Sequence, residues 1–515
     1  MNEETLTMGV KMCNRKNLNS MQQKVQATLT SGGDAKITKV LALKAYSTTS
    51  SVETFDGGLK LNLKVMYEAV VCLETGEITC IEQTSDGNQV SVESSLVSAG
   101  SIVCVNSCVI DNDTSIQDGE VIVKSLVNLD FVIKDNSCTF VPPQVDQDIA
   151  IKSTENLVCT QKDTINANGL VKGEIAVDGK FKKVIFASYT GYIKNVDIKT
   201  DYFVLNGEMY ATLLCEYEDG QLKTITKTFD FNEEIEQKGL GEGDIVQVDF
   251  CTAFKPEVNV VIGGNGETLI DIGMPYTVKG EVYTTYNQEV IVDAYDTTRE
   301  VNLTTESFNN SICHPSYFAE EKIIATFNLS EDSPRVERIL GTCGENISIV
   351  NTIVKDGELI IEGIANVCTI YYSEDEEGNK VLNSVLIDLP YSLNIANKDL
   401  KDGDTAAVNI RLGEISVKNK KGRELEVVAN VYICYNTSTE CVSAFTTVVA
   451  LGEEKPQPEY ALEIVVVRQN ETLWDIAKRL SVKEEVLLTQ NPNVTLPLNE
   501  GEKLVVFREL NADNQ

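Results

Sequence analysis

The sequence predicts a mainly β protein: three tandem β-sandwich-like repeats followed by a small strand–helix–helix–strand domain. Three observations predict it. Alternating apolar and polar residues recur along most of the chain, the period of half-buried strands. Turn dipeptides, among them Asp56-Gly57, Asn206-Gly207, Asp219-Gly220, Asp356-Gly357, Asp402-Gly403 and Lys421-Gly422, punctuate those runs. A turn followed by an apolar strand ending in tyrosine returns three times, reaching Tyr67, Tyr217 and Tyr372. By subtraction these tyrosines are 150 and 155 residues apart.

In chain order, the strand-like runs include residues 59–65, 102–109, 120–131, 209–217, 245–250, 359–370 and 425–435. Residues 18–29 fit either period: Leu18, Met21, Val25 and Leu29 suit a helix, whereas Val25, Ala27 and Leu29 alternate. Upstream of each tyrosine-ending strand, Lys39-Val40-Leu41, Lys183-Val184-Ile185 and Arg338-Ile339-Leu340 look equivalent. The expected divisions are repeats at 1–150, 151–305 and 306–451, an extended charged and proline-bearing linker at 452–460, and a last domain at 461–510. Each repeat is long enough for its own two-sheet core.

The last domain carries the clearest helix signals. Thr472 is placed to cap a helix and Asp475 to reach back to its amide. Leu473, Ile476, Ala477 and Leu480 then make one apolar helical face, with Trp474, the only tryptophan, lying off it. A second helix is expected over 483–490, with Val486 and Leu487 inward and Asn491-Pro492 ending it. β-Branched runs at 464–467 and 504–507 flank the pair. By alternation Val465, Val467, Leu504 and Val506 point inward, leaving Leu462, Ile464, Val466, Val505 and Phe507 outward. Five outward apolar groups are unusual on a unit this small.

This stretch resembles a LysM domain. The likeness rests on residues 467–477, Glu485-Val486-Leu487-Leu488, Asn491-Pro492-Asn493 and Glu500-Gly501-Glu502-Lys503-Leu504. The resemblance implies binding of N-acetylglucosamine polymers such as peptidoglycan, beside the loops carrying Asn470, Glu471, Thr472, Asn491 and Asn493. The family's usual Gly-Asp before the threonine is here Asn470-Glu471. That exchange, together with the outward apolar face, favours a protein-docking module built on Leu462, Ile464, Val466, Trp474, Val505 and Phe507. Three β repeats ahead of a LysM-like unit resemble the SPOCS-domain spore-coat proteins of endospore-forming Firmicutes. The resemblance implies a coat-morphogenesis protein of the mother-cell cytoplasm. It would tether the coat at the forespore surface by binding the SpoIVA-like morphogenetic ATPase and other coat proteins, with self-association of the β units as a further expectation.

Composition narrows the alternatives. The 515 residues carry a net charge of −34, with 42% hydrophobic residues. A surface this acidic repels phosphate backbones, so no nucleic-acid partner is expected. The first residues show no charged-then-apolar leader, and no run reaches the ~18 apolar residues of a membrane span. The 14 cysteines form no Cys-x-x-Cys pair and are expected to be buried, reduced, small hydrophobes; Cys104/Cys108 and Cys434/Cys441 are the closest pairs. The single histidine, His314, precludes a multi-histidine metal or acid–base site and is expected on a surface loop. Gly263-Gly264-Asn265-Gly266 is expected to be a hairpin turn rather than a nucleotide loop. Asp111-Asn112-Asp113 with Asp118-Gly119-Glu120 lacks the spacing of a calcium loop. The expectation is a protein with no enzyme activity, cofactor or metal. The alternative to protein docking is a glycan-binding protein of spore cortex or cell wall.

Overall fold

The computed structural model describes residues 10–135, 139–252, 254–262, 268–456 and 461–508. The chain is mainly β, with two short helices among the described residues. Six antiparallel sheets hold most of it, and each is organised around one long strand. In the first pair, Gly58–Leu73 lies between Ile37–Phe55 and the successive strands Ile78–Thr84 and Asn88–Glu93. It faces Glu120–Asp135, which lies between Ile102–Gln117 and the successive strands Asn14–Asn17 and Met21–Leu29. Alternation sends Leu59, Leu61, Leu63, Val65 and Tyr67 from one centre, and Val121, Val123, Val127 and Leu129 from the other, into a single core.

The plan repeats twice. Tyr202–Tyr217 is flanked by Phe181–Lys199 and Leu222–Glu236 and packs over Thr268–Tyr295 with its neighbours Ala150–Val177, Ile245–Cys251 and Glu257–Ile262. Glu358–Glu374, with Lys380–Ala396, Arg338–Thr342 and Asn346–Lys355, packs over Glu424–Glu454 with Thr405–Asn419, Arg299–Cys313 and Tyr317–Asn328.

The three sheet pairs close into a ring. Strand Ile78–Thr84 touches Phe181–Lys199, Leu222–Glu236 touches Arg338–Thr342, and Lys380–Ala396 touches Ile37–Phe55. Each receiving strand carries a bulge at the same level. One register shift lies between Val40 and Ala42, another between Val184 and Phe186, and the third between Ile339 and Gly341. The extra residues are Leu41, Ile185 and Leu340. A bulge kinks its strand and re-aims a side chain, and here all three residues join one cluster with Val70, Leu214 and Ile370.

The second sheets meet elsewhere. Residues 150–160 pair with 284–295, 299–313 pair with 438–454, and Val10–Lys11 pairs with Thr139–Phe140, giving three two-stranded ribbons. Their apolar residues Val10, Met12, Phe140, Val158, Val290, Phe308 and Phe445 share one cluster. The Phe140 and Phe445 rings lie 4.6 Å apart.

Several local expectations change. Asn206-Gly207 is not a turn: it lies inside Tyr202–Tyr217, and the chain reverses at Thr200-Asp201, where Asp201 has φ of +67°. A Cβ on Gly207 would sit 2.2 Å from the Tyr192 carbonyl oxygen, so the glycine permits close strand approach. The bulges set Val70, Leu214 and Ile370 at one level, which places Tyr217 level with Leu73 and not with Tyr67. The start of the expected linker continues the third ribbon to Glu454, and the Lys455 N–H donates to the Thr298 carbonyl; residues 457–460 lie outside the described residues. So does the 263–266 glycine run. Residues 21–29 form a strand.

Candidate functional site

The segment 461–508 folds as two strands and two helices. Helix α1, Leu473–Leu480, begins with a capping box: the Asp475 N–H donates to Thr472 Oγ1, and the Thr472 N–H donates to Asp475 Oδ2. It buries Leu473, Ile476, Ala477 and Leu480. Helix α2, Glu484–Gln490, buries Leu487, whereas Val486, expected inward, is 41% exposed. Strands Leu462–Val466 and Lys503–Phe507 pair antiparallel, setting Leu462 opposite Phe507, Ile464 opposite Val505 and Val466 opposite Lys503. Val465, Val467, Leu504 and Val506 are buried beneath the helices.

The other face of this hairpin is bare. Leu462 is 53% exposed, Ile464 62%, Val466 49% and Phe507 57%, while Val505 is half-buried. Cross-strand pairing makes these five one contiguous apolar row, with Lys503 at its end.

Trp474 is not part of that row. The site proposed for it from sequence is corrected by its packing: it is 8% exposed and stacks edge-on against Tyr295, ring centroids 4.8 Å apart. Its indole N–H donates to Asp293 Oδ2 at 2.8 Å, and Lys478 pairs with the other carboxylate oxygen. Burial pushes the Asp293 carboxyl up, but the Lys478 ammonium and the indole N–H outweigh it and hold the carboxyl below the usual aspartate range. The Tyr295 hydroxyl donates to the Val482 carbonyl, and Lys455 Nζ donates to Ser481 Oγ and to the Asp296 carbonyl. Helix α1 is therefore latched to the ribbon of the second sheet pair. Sequence reasoning missed Asp293 and Tyr295. The available signal was that Trp474 lies off the helix's own apolar face and needs a partner.

Most of the residues expected to contact sugar are occupied in holding the fold. Asn470 adopts φ of +59°, a left-handed conformation that glycine favours and asparagine tolerates. The Glu471 carboxylate accepts from the Arg468 N–H and pairs with Arg479 at 2.8 Å. Thr472 caps α1. The Asn491 amide donates to the Leu487 and Val505 carbonyls and accepts from the Val505 N–H. Asn493 is exposed.

Elsewhere, His314 is not a plain surface residue. It is half-buried, Nε2 lies 3.0 Å from Thr439 Oγ1, and its carbonyl accepts from Gln247. Among the described residues no group of three or more His, Cys, Asp or Glu is placed to hold a metal. The described cysteines are free thiols. No described helix is long and apolar enough to cross a membrane. No family model, curated protein or solved structure matches this chain.

Proposed function

We propose that this chain is a non-catalytic scaffold protein of the spore coat, with three SPOCS-type β repeats and a C-terminal LysM-type module that docks a protein partner. The observation that carries the proposal is the bare row Leu462, Ile464, Val466, Val505 and Phe507. It stands on a module otherwise packed and latched to its own chain. Water at such a row is released on docking, and each large side chain fully buried contributes roughly 1.5–3 kcal/mol. Following the family resemblance, the partner is the morphogenetic ATPase of the coat basement layer at the forespore surface. The engagement of Glu471 and Asn491 within the module argues against the sugar-binding alternative.

The test uses the full-length chain immobilised on resin, the purified ATPase, and a parallel co-sedimentation with peptidoglycan. Val466→Glu and Ile464→Glu place a charge in the row and are expected to reduce ATPase retention at least tenfold, with peptidoglycan sedimentation at background for all forms. Wild-type retention by both variants sinks the docking face. Sedimentation with peptidoglycan that survives both substitutions but falls on Asn493→Ala would establish the glycan alternative.

A further inference from the structure

Three cysteines, one from each sheet pair, meet in the interior. Cys13 precedes the first strand of the first pair, Cys159 lies in Ala150–Val177, and Cys313 ends Arg299–Cys313. They are 146 and 154 residues apart in sequence by subtraction. The backbone fixes the meeting: the Cys13 N–H donates to the Cys159 carbonyl at 3.0 Å, and the Ser311 N–H donates to the Cys13 carbonyl at 2.7 Å. All three are at most 3% exposed and share one cluster with Tyr283, Ile245 and Ile312. Cys313 is the common neighbour, with the Cys13 and Cys159 thiols both within its electrostatic reach; its own thiol donates to the Ser311 carbonyl. A single buried cysteine is accounted for as a small hydrophobe. Three thiols in one buried cluster, each supplied by a different unit, have a chemistry that one does not.

We propose that Cys13, Cys159 and Cys313 form an oxidation site at which hydrogen peroxide converts Cys313 and one of its two neighbours into a disulfide joining two units. The electrostatics of the cluster set the order of events. The Cys313 thiol and burial hold Cys13 protonated; Cys13 lowers Cys313, but Cys159 and burial outweigh it and push Cys313 up to about 12. The Cys313 thiol lowers Cys159 against the burial that raises it, and the nearby Arg15 guanidinium adds to the lowering. Cys159 therefore ionises first and is the attacking sulfur. Its thiolate attacks one peroxide oxygen, the O–O bond breaks, and the departing hydroxide takes up the thiol's proton as water, leaving a sulfenic acid. The Cys313 sulfur then attacks Cys159 Sγ, the S–O bond breaks, and the leaving hydroxide takes the Cys313 proton as a second water. Two thiols lose two electrons in all, and one peroxide becomes two waters. Attack of Cys13 on Cys313 then exchanges the bond and returns Cys159 to the thiol form. Either disulfide ties the third unit covalently to another. Burial makes the reaction slow compared with an exposed thiol and favours a small, uncharged oxidant such as hydrogen peroxide.

The test treats reduced full-length protein with hydrogen peroxide, removes the excess with catalase, denatures it in N-ethylmaleimide and maps the peptides by mass spectrometry. The expected products are a 159–313 or 13–313 linked peptide pair and a faster monomer band on a non-reducing gel, both reversed by dithiothreitol. Cys13→Ser should retain the 159–313 link, whereas Cys159→Ser, which lacks the attacking sulfur, and Cys313→Ser should form neither link. Complete alkylation of all three thiols after peroxide overturns the proposal. So does a fast band of wild-type intensity in Cys313→Ser, or a dominant link that involves none of the three cysteines. The two variants that keep Cys313 stand as the deciding pair should Cys313→Ser fail to fold, judged by its thermal melt.

Discussion

Trp474 shows what a single residue decides in this chain. Read along the helix, it is an aromatic side chain out of phase with Leu473, Ile476, Ala477 and Leu480; in three dimensions it is the peg that seats the last module on the ribbon at Tyr295 and Asp293. Its helix was legible because capping and periodicity are local. Its partners were not, because Asp293 lies 181 residues away and nothing in a local pattern encodes that distance. Trp474→Ala removes a nearly buried indole and leaves Asp293 short of a donor, so a loss of about 3–5 kcal/mol from the seating of the module is expected. An earlier, separate transition of the module in urea, absent from the wild type, would show it. The same latch depends on pH. The Asp293 carboxyl is depressed in the folded state, so its contribution is fully present above the ordinary aspartate value of about 3.9 and is lost as pH falls through the depressed value. Asp293→Asn should flatten that acid dependence; an unchanged acid profile would remove Asp293 from the latch.

Strand character was legible wherever the period of two was long and clean, as in 59–65, 359–370 and 425–435, all of which lie in central strands. Turn dipeptides were a weaker guide. Asn-Gly is a strong hairpin signal, yet Asn206-Gly207 sits mid-strand because the missing Cβ is needed against Tyr192 and Phe231. The tertiary requirement and the turn preference select the same residue for different reasons, and sequence alone does not separate them. Gly207→Ala is expected to overpack that crossing and to cost about 1–3 kcal/mol, read as a lower urea midpoint of the full chain; a neutral or stabilising outcome would mean that the strand yields there without strain. The bulges at Leu41, Ile185 and Leu340 were equally invisible. A bulged leucine or isoleucine has the same letter as a paired one, and only the register shows that these three side chains were turned toward a neighbouring unit.

For the molecule as a whole, the recurrence near 150 residues was readable, but the ring was not. Three units in a line and three units closed on one another have the same repeat spacing. What separates them is the surface each unit buries against the next, through the clusters at Leu41–Ile185–Leu340 and at Phe140–Phe308–Phe445. The cysteine intervals of 146 and 154 were present in the sequence, and they looked like scatter without the ring to bring them together. Phe445 is fully buried where the three ribbons meet. Phe445→Ala should destabilise by about 3–5 kcal/mol, and in calorimetry all three β units should shift together. Three separate melts, with only the last of them moved, would make the units independent beads.

The stretch 10–17 touches every unit. Val10 pairs with Phe140, Cys13 hydrogen-bonds to Cys159, Arg15 pairs with Glu281, and the Arg15 N–H donates to Ser311. A growing polypeptide makes this stretch before its partners, the farthest of which come hundreds of residues later. During synthesis it must wait, unpaired, until the third unit emerges. The junction then closes only once the start of the third unit has been made, and a product truncated before residue 311 keeps this strand loose and open to proteases.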